Sequence, residues 1–306
     1  MIEISNLTKK FNQFTAVNNL SFSVAEGEVL GFLGPNGAGK STTMKILTGF
    51  LAPSSGTVRI DNYDISESPL QAKGLIGYLP EGAPSYGDMT VLEFLNFIAN
   101  VRGYRGSEVA QRVERVINEV DLHSVANQTI ETLSKGFKRR VGLAQAIMHD
   151  PKVLVLDEPT DGLDPNQKHH VRSLIKNLSQ DKIVIISTHI LEEVTAVCSR
   201  AIIIDQGAIV ADGTPSELES RSRLHHAVSL TLESTVDLQA DLVGVEGIEK
   251  IEQNPENALS FTILAKEGQT VFPAIANIAR DKDWPVSELH VARGQLEDMF
   301  REVTKA

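Results

Sequence analysis

The sequence holds one cysteine, Cys198, so no internal disulfide can form and a fold stapled by covalent links is excluded. That count suits a reducing compartment, and the thiol reads as a small core or helix residue. Long apolar runs are missing too. The richest, around 152–156 and 182–186, fall far short of the roughly 20 residues needed to cross a bilayer. They read as core strands, and any membrane role must come through a partner. A basic segment followed by an apolar one, the mark of a signal peptide, is absent from Met1-Ile2-Glu3-Ile4-Ser5, which opens on a strand-like alternation. Positive charge is in deficit: 29 Lys and Arg face 40 Asp and Glu, a net -11, which argues against a broad nucleic-acid surface. The sequence shows no internal repeat, low-complexity tract or metal-ligand spacing, and His169-His170 and His225-His226 read as exposed pairs.

Against these absences stands one dense motif. Gly34-Pro35-Asn36-Gly37-Ala38-Gly39-Lys40-Ser41 has the spacing G-x-x-x-x-G-K-[ST], in which a backbone loop wraps a row of phosphates. Glycines let the turn take positive φ and aim successive N–H groups at an anion. Lys40 adds a mobile charge and Ser41 a hydroxyl for Mg²⁺, while a helix expected to begin near Lys40 presents the positive end of its dipole. The apolar run 28–33 reads as a buried strand and supplies the strand-to-helix setting that the motif requires. The chain is thus expected to bind a nucleoside triphosphate.

At 306 residues, two domains are expected. Alternating strand and helix patterns over 1–219 predict an α/β layered domain around a largely parallel sheet, with the phosphate loop at the carboxyl end of a strand. Over 90–121 the pattern turns helical: Val91, Leu92, Phe94, Leu95 and Ile98 form one stripe, and Val109, Val113, Val116 and Val120 another. The stretch 218–226 is polar, and 220–226 reads as a linker. From 227 to 306 a second, smaller α+β domain is expected in the order β-α-β-β-α-β, the split arrangement of ferredoxin-like folds, closed by an amphipathic helix over 296–303.

Three further segments carry chemistry. Strand 153–157 ends in Asp157 and Glu158; the first is placed to hold Mg²⁺ through water, the second to polarise a water for attack on a γ-phosphate. His189 follows the strand 183–187. Because adjacent parallel strands end on one rim, it can contact the γ-phosphate or orient the water. Between the phosphate loop and the acidic strand lies Leu133-Ser134-Lys135-Gly136-Phe137, where Ser134 is a good helix N-cap and Gly136 permits close backbone approach.

In this order, the motifs resemble those of ATP-binding-cassette (ABC) ATPases, whose signature is LSGGQ, over about 1–219. The resemblance implies a P-loop NTPase fold with a RecA-like core, an antiparallel β subdomain and a helical subdomain over about 85–150. It implies ATP and Mg²⁺ as ligands, with Phe11 stacking on adenine and Val17, Gly34, Pro35, Asn36, Gly37, Ala38, Gly39, Lys40, Ser41 and Thr42 around the nucleotide. Lys40, Glu158 and His189 become the catalytic set, and Ser41 and Asp157 the metal site, with Glu81 as a further candidate ligand. Glu81 also matches the loop that couples nucleotide to helical subdomain, and Asp164 the loop that lines a dimer interface. Ser134, Lys135, Gly136 and Phe137 would close in trans over ATP held by a second subunit.

Three departures from the family pattern stand out. Phe11 replaces tyrosine and keeps the stacking face, and Glu81 replaces glutamine, which makes an acceptor-only group of it when ionised. Lys135 and Phe137 replace glycine and glutamine. Such variants, and the ending Leu296-Glu297-Asp298-Met299-Phe300, are similar to export-type members that work with a separate membrane subunit. The expected function is therefore an ATP-hydrolysing exporter subunit, dimeric, peripheral on the cytoplasmic face of the cell membrane, partnered by a permease and not by nucleic acid. Two rivals are a soluble ABC ATPase acting on ribosomes or DNA and a nucleotide sensor that does not turn over.

Overall fold

The computed structural model describes residues 1–266, 268–292 and 294–304. It divides into two units, Met1–Thr214 and Pro215–Ala306. The first opens on an antiparallel hairpin, β1 (Ile2–Phe11) and β2 (Phe14–Val24), which turns at Asn12 in the left-handed backbone that asparagine tolerates. Next, β3 (Val29–Leu33) runs into α1 (Lys40–Leu47), and β4 (Ser55–Ile60), β5 (Tyr63–Asp64) and α2 (Pro69–Gly74) lead to β6 (Ile76–Leu79). Three helices follow, α3 (Val91–Val101), α4 (Ser107–Glu119) and α5 (Lys135–Ile147). The first of them starts where Thr90 and Glu93 cap each other: the Thr90 hydroxyl accepts the Glu93 N–H at 3.2 Å, and the Glu93 carboxylate accepts the Thr90 N–H at 2.8 Å. The unit closes with β7 (Val153–Asp157), α6 (Pro165–Leu178), β8 (Ile183–Thr188), α7 (Leu191–Val197), β9 (Arg200–Asp205) and β10 (Ala208–Gly213).

A six-stranded sheet in the order β10-β9-β3-β8-β7-β6 centres this unit, parallel except at the β9–β10 edge. Every residue of β3, β7 and β8 is buried, as expected of parallel strands covered on both faces. A separate antiparallel sheet runs β2-β1-β4-β5. In the helical part Val91, Phe94 and Leu95 are buried with Val109, Val113, Val116 and Val120. Leu92 departs from the expected stripe and is 38 % exposed. It sits one residue, about 100°, off the line that joins 91, 94, 95 and 98 on a helix.

The second unit comprises α8 (Pro215–Ser220), β11 (Val228–Leu232), α9 (Leu238–Leu242), β12 (Ile248–Asn254), β13 (Asn257–Ala265), α10 (Phe272–Asp281), β14 (Val286–Val291) and α11 (Leu296–Val303). Its sheet, β12-β13-β11-β14, is antiparallel throughout. Leu230, Ile263 and Ile275 are fully buried in its core. Trp284 joins them with its polar end satisfied, since Nε1–H donates to Asp241 Oδ2 at 2.9 Å. Residues 218–226 are not the polar linker that their composition predicts. Leu218 and Ser222 are buried, the Ser222 hydroxyl accepts the Leu224 N–H at 3.2 Å, and the unit begins at Pro215 rather than at 227. His225 and His226, expected to be exposed, are half-buried with ring centroids 4.0 Å apart, and His170 is half-buried also.

Candidate active site

The phosphate loop spans 34–39, between β3 and α1. Gly39 stands at φ 106°, and a Cβ there would lie 2.4 Å from the Ala16 carbonyl oxygen, so only glycine lets the loop pass beneath β2. Two backbone bonds fasten the loop from outside: the Gly207 N–H donates to the Ala38 carbonyl at 3.0 Å, and the Asn18 N–H to the Gly207 carbonyl at 2.8 Å. Among the described residues no backbone acceptor meets the N–H groups of Lys40, Ser41 and Thr42, the open first turn of α1. These residues border a hollow of about 230 Å³ that Phe14, Ala16, Asn36, Gly37 and Gly39 also line. Open N–H groups at a helix start, with a lysine beside them, are donors suited to phosphate oxygens. The Lys40 ammonium donates to the carbonyls of Gly34 at 2.6 Å and Pro35 at 3.2 Å. Burial lowers its pKa, against the pull of Glu158, Asp157 and Glu81, so the cation sits within an acidic rim.

Strand register assembles that rim. Leu33 pairs with Thr188 and Asp157 with Ser187, so β3, β7 and β8 end together. Asp157 is buried and accepts the Ser187 hydroxyl. Glu158 leaves its strand in left-handed backbone, φ 51°, at a cost of about 1–2 kcal/mol for a residue with a side chain. Its N–H donates to the Ser187 carbonyl at 2.9 Å, and its Oε1 lies 2.8 Å from His189 Nδ1. Glu158 Oε2 is buried without a hydrogen-bond partner. A carboxylate with one oxygen held by an imidazole and the other unpaired can orient a water and take its proton. The Ser41 hydroxyl and the Asp157 carboxylate are hard oxygen donors of the kind Mg²⁺ takes, and the ion would offset phosphate charge there.

The signature segment builds a different surface. Ser134 caps α5, its hydroxyl accepting the Phe137 N–H at 3.3 Å. A Cβ on Gly136 would come within 2.3 Å of Gln167 Oε1, so the Gln167 amide end packs directly over this glycine. Asp164 caps α6 and accepts the Gln167 N–H at 2.9 Å. Lys135 lines a second hollow, about 210 Å³, with Gly82, Ala83, Lys138, Arg139 and Asp161. No residue from Ser134 to Phe137 lines the phosphate-loop hollow.

Residues 17–161 match the ABC transporter family model. The chain is 34 % identical over 307 residues to the linearmycin resistance ATP-binding protein LnrL of Bacillus subtilis, a match that covers 99 % of this chain and 98 % of the relative. The chain belongs to the ABC transporter family. Another member, the Nod factor export ATP-binding protein I of Paraburkholderia xenovorans, is 33 % identical over 304 residues, 99 % of this chain and 96 % of the relative. A dimeric ATP-binding cassette solved in a post-hydrolysis state with ADP and Pi superposes with a TM-score of 0.65 at 25 % identity, over 70 % of this chain and 98 % of that one. An ATP-binding subunit of an ABC transporter gives 0.66 at 28 % identity, over 72 % and 92 %. The fold is that of the ABC-type P-loop NTPases, and the protein is an ABC transporter ATP-binding subunit that binds ATP with Mg²⁺ and hydrolyses it.

Within this ABC ATPase, two residues assigned to the nucleotide by resemblance stand apart from the hollow. Val17 is fully buried behind Gly39 and does not line the hollow. Phe11 ends β1 with Lys9 Nζ 5.2 Å from its ring centroid, while Phe14, its partner across the hairpin, lines the hollow. Both rings are exposed. Glu81 lies in an exposed turn after β6. The motif reading passed over Phe14, Ser187, Gln167 and Arg139. Only Phe14 left a usable signal, since a two-residue turn sets positions 11 and 14 side by side. Among the described residues no helix is long and apolar enough to cross a membrane.

Proposed function

We propose that this chain is the ATP-hydrolysing half of an exporter: two copies, or one copy and a homologous ATPase, close head to tail over two ATP molecules and drive a separate membrane-spanning permease. The observation that carries this reading is the division of the site into two surfaces. Lys40 feels the charges of Asp157 and Glu158, whereas no residue from Ser134 to Phe137 lines the phosphate-loop hollow, which supports their acting on ATP held by another chain. In the closed pair Ser134, Lys135, Gly136 and Phe137 of one subunit meet the γ-phosphate held by the other, with Asp164 at the interface. Lys40 and the loop N–H groups stabilise phosphate charge, Ser41 and Asp157 hold Mg²⁺, Glu158 polarises the attacking water, and His189 holds Glu158 in place. Adenine stacks on the exposed hairpin aromatics, Phe11 and Phe14.

The permease contact is assigned to an apolar groove of about 460 Å³ between the Glu81 turn and α3, where Tyr86, Phe94, Phe97, Ile98, Val101 and Gln145 converge. Tyr86 packs edge-on against Phe97 at 5.5 Å, yet both rings remain exposed, as does Val101. An amphipathic helix from a membrane protein's cytoplasmic side suits such a groove, and this supports a position at the cytoplasmic face of the cell membrane. Export as the direction is supported by relatives named for antibiotic resistance and Nod factor export, names that lend nothing to a role on ribosomes or DNA. The unit from Pro215 onward is assigned as a ferredoxin-like accessory domain, a reading its β-α-β-β-α-β order supports. Gel filtration of Glu158→Gln tests the pairing: ATP doubles its apparent mass, and a chain that stays monomeric at saturating ATP and Mg²⁺ overturns it.

A further inference from the structure

Arg139 lies in the second turn of α5, 5 % exposed. Its guanidinium reaches three carbonyls on two other segments: Nη1 donates to Pro80 at 3.1 Å, and Nη2 to Asp157 at 2.6 Å and to Glu158. None of these acceptors is a carboxylate, and among the described residues Arg139 makes no ion pair; its Nε has no hydrogen-bond partner. Backbone carbonyls hold the guanidinium directly, while the carboxylates of Asp161, Asp157, Glu158 and Glu81 lie near enough to favour its charge against burial. The neighbouring Arg140, buried to a similar degree, goes elsewhere. It donates to the Asp121 carbonyl at 3.2 Å and to its Oδ2 at 3.1 Å, and so serves the packing of the helical part.

From this geometry we infer that Arg139 is a positioning residue for hydrolysis, a joint that ties the signature helix to the Glu81 turn and to the backbone beneath both rim carboxylates. The inference rests on the reading of Glu158 as the water-polarising group. Glu158 occupies a strained conformation, and such backbone persists only where its surroundings over-determine it. Three contacts do so: the N–H on Ser187, the side chain on His189, and the carbonyl under Arg139. With the carbonyl released, φ relaxes toward the negative values that residues with a side chain prefer, and the carboxylate swings off His189. Pro80 adjoins Glu81, and Ser134 caps the same helix, so a shift at either surface reaches the Glu158 backbone through one guanidinium.

Four variants of the full chain test this: Arg139→Met, Arg139→Lys, Arg140→Met, and Arg139→Lys combined with Glu158→Gln. Each is measured for melting temperature, ATP Kd, kcat and KM. Displacement of a catalytic group by about 1 Å loses about 10²-fold in rate. Arg139→Met is therefore expected to lose about 10²-fold in kcat with Kd and KM within about threefold, and Arg139→Lys, with fewer donors, to recover about tenfold of it. Arg140→Met lowers the melting temperature while kcat per folded molecule holds. In the Glu158→Gln background Arg139→Lys removes nothing further, because the group it positions is already gone. Wild-type kcat in folded Arg139→Lys, or an additive loss in the double variant, overturns the joint. If Arg139→Met does not fold, the lysine variants decide alone. Wild-type turnover in Glu158→Gln by itself would sink the reading of Glu158 and leave the joint without its object.

Discussion

The central sheets of the two units obey opposite rules. In the first, β3, β7 and β8 are buried at every position, so a polar side chain finds room only at a strand end, and there Asp157, Glu158 and His189 gather. In the second, β11 alternates between buried and half-buried residues, and β12 and β14 carry polar side chains along their whole length. A sheet covered on both faces pushes its chemistry to the rim, where it is concentrated and local in sequence. A sheet with one face open can place a polar residue anywhere, so no single position advertises a role. Rim residues should then govern rate with little effect on stability, and core residues of the second sheet the reverse.

The sharpest test of that division is Lys40→Ala. Removing one charge-stabilising donor from a preorganised site typically loses about 10²–10³-fold in kcat. Phosphate release should fall by that much while the thermal melt is unchanged. A variant that melts early would show that Lys40, bonded as it is to Gly34 and Pro35, holds the loop's shape as well. Leu230→Ala is the converse. It empties a fully buried site in the second unit and should destabilise that unit by about 2–5 kcal/mol. Urea titration followed by Trp284 fluorescence reads the loss directly, since this is the chain's one tryptophan. Turnover at low urea should not move, and a matching fall in kcat would mean that the accessory unit supports the rim.

The same contrast explains what could be read from the residues alone. Phosphate loop, acidic strand end and helix cap are short-range patterns, so Gly34 to Ser41, Asp157 to Glu158, and the Ser134 cap could be read from the residues alone. Strand β14 and helix α11 were equally legible, because each carries its period within a few residues. Long-range pairings left no such trace. Arg139 lies 59 residues from Pro80, and Gly136 meets Gln167 across two elements. The linker read over 220–226 has the same origin: its residues are polar, yet Ser222 is buried with Gly294, far away in sequence, packed against its Cβ. Composition reports solvation preference, and here long-range packing overrode it.

The hairpin aromatics mark the edge between the two kinds of signal. Phe11 is reached through resemblance, Phe14 through the pairing of β1 with β2. Aromatic stacking contributes about 0.5–1.5 kcal/mol beyond buried area. Replacing both rings with alanine should raise the ATP Kd about tenfold, with each single change giving less. Fluorescent-nucleotide titration would read it, and a double variant that binds as tightly as the parent would move adenine away from this hairpin.

The smallest effect concerns a half-buried group far from the rim strand ends. His149 Nε2–H donates to the Ile76 carbonyl at 3.0 Å, and its Nδ1 is buried without a partner. Burial first, then the nearby Arg102, lowers its pKa from 6.5 to about 4. The unfolded chain therefore takes up a proton near pH 6.5 that the folded chain refuses until about pH 4, and in that window the unfolded state binds more protons. Stability must fall as pH drops through the window and level off below it. The ring is only half-buried, so solvent screening reduces the full linkage to about 1–2 kcal/mol. His149→Gln keeps an amide donor for Ile76 and cannot titrate. Urea unfolding at about pH 7.5 and about pH 4.5 should show the wild type losing about 1–2 kcal/mol more than the variant between the two conditions. Equal losses would mean that the imidazole is protonated as readily in the fold as out of it, which a Nδ1 sealed from water beside two arginines does not allow.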